Sequence, residues 1–203
     1  GLGLGIFEGA YGVKNLNIVN ADIFDPAPTT GGSSSSGILA GYSSNIDNVH
    51  VSGSVTGTGS VGGLVGRGSH ITRSSSSANV HLILTHGSDT AGGLVGLISG
   101  VTGTISDSYS TGTIDATNAT GHSYYYCGGV VGMAYGPVNR TYSTTDVNCD
   151  NGTGGGSISG ITGYLVYRPF NTDFGAGTLS NSFSTGLVSD RKIASSGGGA
   201  IAD

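Results

Sequence analysis

The sequence predicts an all-β fold built from repeated coils, a β-helix-like solenoid, and three observations predict it. Glycine is the commonest residue, 40 of 203, and each interior glycine costs a helix about 1 kcal/mol relative to alanine. Val, Ile and Leu fall in short runs separated by Ser and Thr, a mixture that suits strands joined by tight turns. A two-part motif recurs along the chain, and repetition at a period of roughly 20–50 residues is the signature of stacked repeat architectures.

The first part of the motif is a glycine-bracketed pentapeptide. A weak copy begins at Gly5, Gly37 to Gly41 reads Gly-Ile-Leu-Ala-Gly, and Gly62 to Gly66 and Gly92 to Gly96 both read Gly-Gly-Leu-Val-Gly. Gly128 to Gly132 reads Gly-Gly-Val-Val-Gly, and a last weak copy begins near Gly160. Starts near 5, 37, 62, 92, 128 and 160 lie 25 to 36 residues apart. A second part follows each first one. Val13 to Ile23 carries one extra residue; Ile46 to Val55, Ile71 to Val80, Ile105 to Ile114, Val138 to Val147 and Leu179 to Val188 each place small polar residues between apolar brackets.

One such unit cannot bury its apolar side chains alone. Stacked units bury a continuous core, with neighbouring strands about 4.8 Å apart, so about six irregular coils are expected over residues 1–203, read as one solenoid domain. Pro26 to Ser36, Thr117 to Tyr126, Asn148 to Ser157 and Tyr167 to Ala176 are read as loops that absorb the uneven spacing. A β-sandwich also strings strands and turns together, but it does not call for a repeated pentapeptide. Leu64/Val65, Leu94/Val95 and Val130/Val131 should form ladders, with one member of each pair facing inward.

Gly-Gly-Leu-Val-Gly followed by a strand such as Ile-Ser-Asp-Ser-Tyr-Ser-Thr-Gly resembles the GLUG repeat of bacterial surface proteins, among them large adhesins and cell-wall-attached IgA-type metallopeptidases. The resemblance is strongest over residues 37–150 and degrades toward Gly5 and Gly160. It implies a cell-surface β-solenoid with no chemistry of its own. The cysteine frequent in the family's second block is replaced here by Ser108, Thr141 and Ser182.

Charge and composition narrow the function further. The formal net charge is −5 with only seven Lys and Arg, and these are too scattered to displace counterions from a phosphate backbone, so nucleic acid is not an expected partner. Apolar stretches such as Gly92 to Ser99 are far too short to insert in a bilayer. Gly57 to Gly62 matches GxGxxG literally, but it leads into a glycine-rich strand instead of the helix a dinucleotide site needs, so a strand corner is expected. The sequence lacks HExxH, GxSxG and a phosphate-binding GxxxxGK[ST] segment, and Glu8 is its sole glutamate. Asp146 and Asp150 near Arg140 are the one local group that resembles a polysaccharide-lyase site. The histidines at 50, 70, 81, 86 and 122 are dispersed, with His50 and His81 expected in surface ladders. No catalytic residue or bound cofactor is expected.

Four features remain as candidate sites. Cys127 and Cys149 are the only cysteines; an oxidised pair is the first expectation, with two buried thiols or a link between chains as alternatives. Asp146, Asn148 and Asp150 alternate like the start of a calcium loop, although the glycine is one place late and no glutamate follows at the twelfth position; an ordinary turn carrying one cysteine is the expected reading. Asn118, Asn139 and Asn151 head glycosylation sequons. Tyr124, Tyr125 and Tyr126 cannot all face inward on one strand, which leaves one or two of them exposed for a protein or glycan contact.

The expected role is an extracellular or cell-surface structural module, a rod segment of a fibre or filament. An adhesin gripping a glycan or host surface protein, or a non-catalytic spacer of a surface enzyme, would use the same fold. The chain opens with GLGLGIFEG and closes with GGGAIAD in the style of the repeat, without polar caps. End-to-end self-association through residues such as Leu2, Leu4 and Ile201 is therefore expected, unless neighbouring sequence supplies the caps.

Overall fold

A computed structural model describes residues 3–25, 34–85, 87–100, 102–118, 124–149, 155–166 and 177–190, and their regular structure is entirely β. The chain winds into a solenoid whose strands form three parallel sheets. Sheet 1 has six strands, Gly3–Leu4, Ser35–Gly37, Ser60–Gly62, Ser88–Gly92, Tyr124–Gly128 and Gly156–Ser159. Sheet 2 also has six, Phe7–Tyr11, Ala40–Ser44, Val65–Gly68, Val95–Ile98, Val131–Ala134 and Thr162–Leu165. The six copies of the motif thus make six coils, the pentapeptide reversing the chain from sheet 1 into sheet 2 and the second block forming sheet 3.

Sheet 3 has eleven strands because later coils contribute theirs in pieces. Coils 1 and 2 supply Lys14–Phe24 and Ile46–Gly57; coils 3, 4 and 5 supply His70–Thr72 with Ser75–Leu84, Thr104–Ser110 with Thr113–Asn118, and Val138–Ser143 with Asp146–Cys149. Coil 6 supplies Leu179–Ser180, Phe183–Ser184 and Val188–Asp190. Pairing is in register from coil to coil, as in the columns Ile46–Ile71–Ile105–Val138 and Val55–Val80–Ile114–Val147. Coil 6 enters the register one residue before Gly160, since Ser159 pairs with Gly128.

Two cores run along the axis. Sheet 2 packs on the first half of sheet 3, burying Val65, Val95, Ile98 and Val131 with Ile46, Ile71, Ile105 and Val138. Sheet 1 packs on the second half, burying Val61, Ala91, Tyr125 and Cys127 with Val80, Leu82, Ile114 and Val147. The apolar residues of the pentapeptide belong to the first core. There Leu64, Val65, Leu94, Val95, Val130 and Val131 are all 0% exposed, so the expected alternation within each pair does not hold. Leu64, Leu94 and Val130 lie in the reversing turn ahead of the strand, where both neighbours reach the core.

The glycine pair follows from the same turn. A Cβ on Gly93 would fall on the Gly129 carbonyl oxygen of the next coil and 2.9 Å from both Cβ and Oγ of Ser110. Ser110 belongs to the column Ser76–Ser110–Ser143–Ser184 of the second block, so the two halves of the motif specify one another through contact. In coil 2 the corresponding residues are Ile38 and Val51, both buried.

Sheet 3 kinks along a column of left-handed residues, Asn15, Asn48, Arg73, Asp107, Arg140 and Asn181, with φ between 46° and 55°. Asn and Asp tolerate this conformation; Arg does so at a cost. Each arginine is held by the preceding coil, Arg73 by Asp47 at 2.6 Å and Arg140 by Asp107 in a two-pronged pair at 2.7 Å. In coils 3, 4 and 6 the residue after the kink supplies a hydroxyl that accepts a backbone N–H from the preceding coil. Val49 N–H donates to Ser74 Oγ, Ser74 N–H to Ser108 Oγ and Thr141 N–H to Ser182 Oγ, each at 3.1 Å. Ser108, Thr141 and Ser182 thus stand in a hydroxyl column where the resembling family often has thiols.

Candidate functional site

The polar outer face of sheet 3 is made of self-satisfied columns. His50 contacts Ser75 Oγ at 2.7 Å and Asn48 Oδ1 at 3.1 Å, while His81 contacts Asp115 at 3.3 Å and Thr117 at 3.2 Å. His70 meets Thr104 at 3.3 Å, whereas His86 and His122 lie outside the described residues. Arg140 is committed to Asp107, whose carboxyl it holds below the usual carboxylate range, so it does not join Asp146 in a lyase-like pair. Gly57 to Gly62 is a bend between two strands, as expected.

Two of the three calcium candidates lie on a strand. Asp146 and Asn148 stand on a regular strand, paired with Thr113 and Asp115, and not in a ligand-bearing loop. Asp146 Oδ1 accepts the Leu187 N–H at 2.9 Å and Asn148 Oδ1 accepts from Ser189 Oγ at 3.2 Å. Asp150 lies outside the described residues, and among the described residues no group of three or more His, Cys, Asp or Glu could hold a metal ion. The sequons divide likewise. Asn139 is in a strand, and its Oδ1 accepts from Asn181 Nδ2 at 2.9 Å and Ser180 Oγ at 3.2 Å. Asn118 ends a strand of sheet 3, and Asn151 lies outside the described residues.

Cys127 and Cys149 form a disulfide. It joins sheet 1 to sheet 3 within coil 5, across the second core, and both cysteines are 0% exposed. The bond therefore closes its own coil and does not tie the aromatic segment to the next one.

The three consecutive tyrosines lie on a strand, not in the loop expected there, and alternation sorts them. Tyr125 is 1% exposed and belongs to the second core, so it is no surface contact residue. Tyr124 is 63% exposed and Tyr126 is half-buried. The Tyr126 ring lies 4.9 Å from that of Tyr164 on sheet 2, at an interplanar angle of 33°. Burial raises the Tyr126 phenol above its ordinary range, and the phenols of Tyr164, Tyr124 and Tyr135 raise it further. Tyr126 of coil 5 and Tyr164 of coil 6 therefore touch, with the phenols of Tyr124 and Tyr135 near enough to act on Tyr126. Tyr164 is far from the triplet in sequence, and only the coil register brings it beside Tyr126. A second aromatic column, Tyr109–Tyr142–Phe183, stacks on sheet 3 with centroids 4.7 and 5.4 Å apart.

The chain is 30% identical over 182 residues to the immunoglobulin A1 protease of Streptococcus sanguinis, a match covering 85% of this chain and 9% of that protein. It is also 30% identical over 189 residues to an immunoglobulin A1 protease of Streptococcus pneumoniae, covering 88% of this chain and again 9% of the relative. The chain thus spans 9% of the length of these curated relatives. No protein-family model matches it. A β-solenoid similar to these proteins over most of its own length fits a repeat module of a surface protein.

Proposed function

We propose that this solenoid is a non-catalytic structural module of the GLUG-repeat type in an extracellular or cell-surface protein, and that it assembles end to end into a fibre. The observation that carries the assembly is the exposure of core columns in the first and last described coils. Ile6 and Phe7 in coil 1 are 50% and 44% exposed, yet the residues above them in coil 2, Ile38 and Ala40, are 0% exposed. At the other end Val188 is 39% exposed, whereas Val147 in the same column is 0% exposed. A further coil in the same register would cover these side chains and pair the outer strands, and a heterologous contact of that kind propagates. The non-catalytic reading is supported by the lack of HExxH and GxSxG motifs in the sequence. Similarity to proteins named immunoglobulin A1 protease supports the surface location.

The test is light scattering with negative-stain microscopy over a concentration series. Fibres or short stacks are expected, and Phe7→Asp with Val188→Asp should leave folded monomers. An unmodified chain that stays monomeric at high concentration would replace the fibre with a spacer within a longer protein. Leu4 is 38% exposed and belongs to the same end; Leu2 and Ile201 lie outside the described residues.

A further inference from the structure

The repeat itself shows which residues the solenoid does not need. Coils in register hold equivalent positions, so a side chain present in one coil alone is not demanded by the fold. Tyr126 occupies a column whose other members are Gly3, Ser35, Ser60, Thr90 and Ser157. Tyr124 is paired with Ser88. Tyr135 follows Ala134, whose column partners Ile98 and Gly68 are followed by Ser99 and Ser69. At the positions of Tyr124 and Tyr126 the paired residues of other coils are small and coil 5 alone carries phenols, whereas the column of Tyr135 also holds Tyr11 in coil 1 and Val166 in coil 6. Tyr126 packs on Tyr164, itself 45% exposed, and Tyr124 and Tyr135 act electrostatically on Tyr126.

The shape and charge of the cluster select its occupant. Tyr126 and Tyr164 touch at a shallow angle, 33°, so they form one platform bordered by hydroxyls. They do not form the separated walls that would box in an ammonium group. Among the described residues, the neighbours acting electrostatically on Tyr126 are phenols. A platform of aromatic faces with donor and acceptor hydroxyls at its rim matches a pyranose, which offers a C–H face for the rings and hydroxyls for the phenols.

We propose that Tyr124, Tyr126, Tyr135 and Tyr164 form a binding site for a neutral oligosaccharide. This site is independent of end-to-end assembly, because it lies on the side of coils 5 and 6. The test is to screen the intact chain on an array of neutral, acidic and amino oligosaccharides. The best neutral hit is then titrated by tyrosine fluorescence, which no tryptophan obscures. Tyr124→Ser and Tyr126→Thr install the residues that coil 4 carries in the same columns, so the fold should survive, as thermal melts will check. Each change is expected to weaken binding about tenfold or more, while Tyr109→Ser on sheet 3 leaves it unchanged. The proposal is overturned if no neutral oligosaccharide binds or if both cluster variants bind like the parent. Retention on a choline resin in preference to sugars, or loss of binding in Tyr109→Ser alone, would overturn it equally.

Discussion

Replacing Gly93 with alanine adds one methyl group at the point where the two halves of the motif meet. The new Cβ would overlap the Gly129 carbonyl oxygen and crowd Ser110 at 2.9 Å. Ser110 could be trimmed, but the carbonyl is backbone of the next coil and takes part in the ladder, where Gly93 N–H donates to Gly129 O at 3.1 Å. The methyl therefore forces two coils apart. Overpacking of a close-packed interior costs about 1–3 kcal/mol, and an obstacle that cannot change rotamer puts Gly93→Ala near 3 kcal/mol. Gly87→Ala is the control, since nothing lies within 4 Å of its added Cβ; it should be neutral or slightly stabilising through the unfolded chain. Urea unfolding followed by far-ultraviolet circular dichroism gives both values. If Gly93→Ala and Gly87→Ala unfold within about 0.5 kcal/mol of each other, the contact between the glycine pair and the serine column does not specify the coil.

Further outcomes follow from the same structure. Leu94→Ala empties a fully buried site and should cost about 2–5 kcal/mol by denaturant unfolding; a loss below 1 kcal/mol would show that the turn is not packed as described. Reduction should add two hydrogens to the intact mass and lower stability by about 3 kcal/mol for a closure of 22 residues; two thiols alkylating without reductant would remove the bond. Asp89 is 1% exposed, and burial raises its carboxyl above the ordinary 3.8 although Thr85 N–H donates to it at 2.7 Å. The folded state then holds this proton more tightly than the unfolded chain. The contribution of Asp89 to stability is accordingly greatest below 3.8 and declines as pH rises through the higher folded value. Asp89→Asn should flatten that decline in melts across pH 3 to 7, and an unchanged slope would refute it.

The repeated pentapeptide made the coils legible, because Gly62, Gly92 and Gly128 are spaced as one unit per turn. Most of the sixth copy was visible too, although its offset by one residue needed the pairing of Ser159 with Gly128. The kink in sheet 3 was harder to read, because its left-handed column mixes Asn, Asp and Arg and has no shared side-chain signature. Alternation required Tyr124 and Tyr126 to oppose Tyr125, but which set faced the core depended on register with Ala91 and Cys127. Tyr164 gave no local signal, since it approaches Tyr126 only through stacking of the next coil. Asp146 and Asn148 looked like loop ligands because alternate oxygens suit a calcium loop and an exposed strand face equally; the pairing with coil 4 decides for the strand.

The in-register stacking of coils is tested most directly by moving the disulfide up one coil. Ala91 pairs with Cys127 and Ala116 with Cys149, so Ala91→Cys with Ala116→Cys, in a chain whose own cysteines are changed to alanine, places a second pair at equivalent positions. The solenoid predicts a bond within one chain, seen by intact mass and by peptide mapping between residues 91 and 116, with folding retained. Two free thiols in a folded chain, or bonds only between chains, would contradict it.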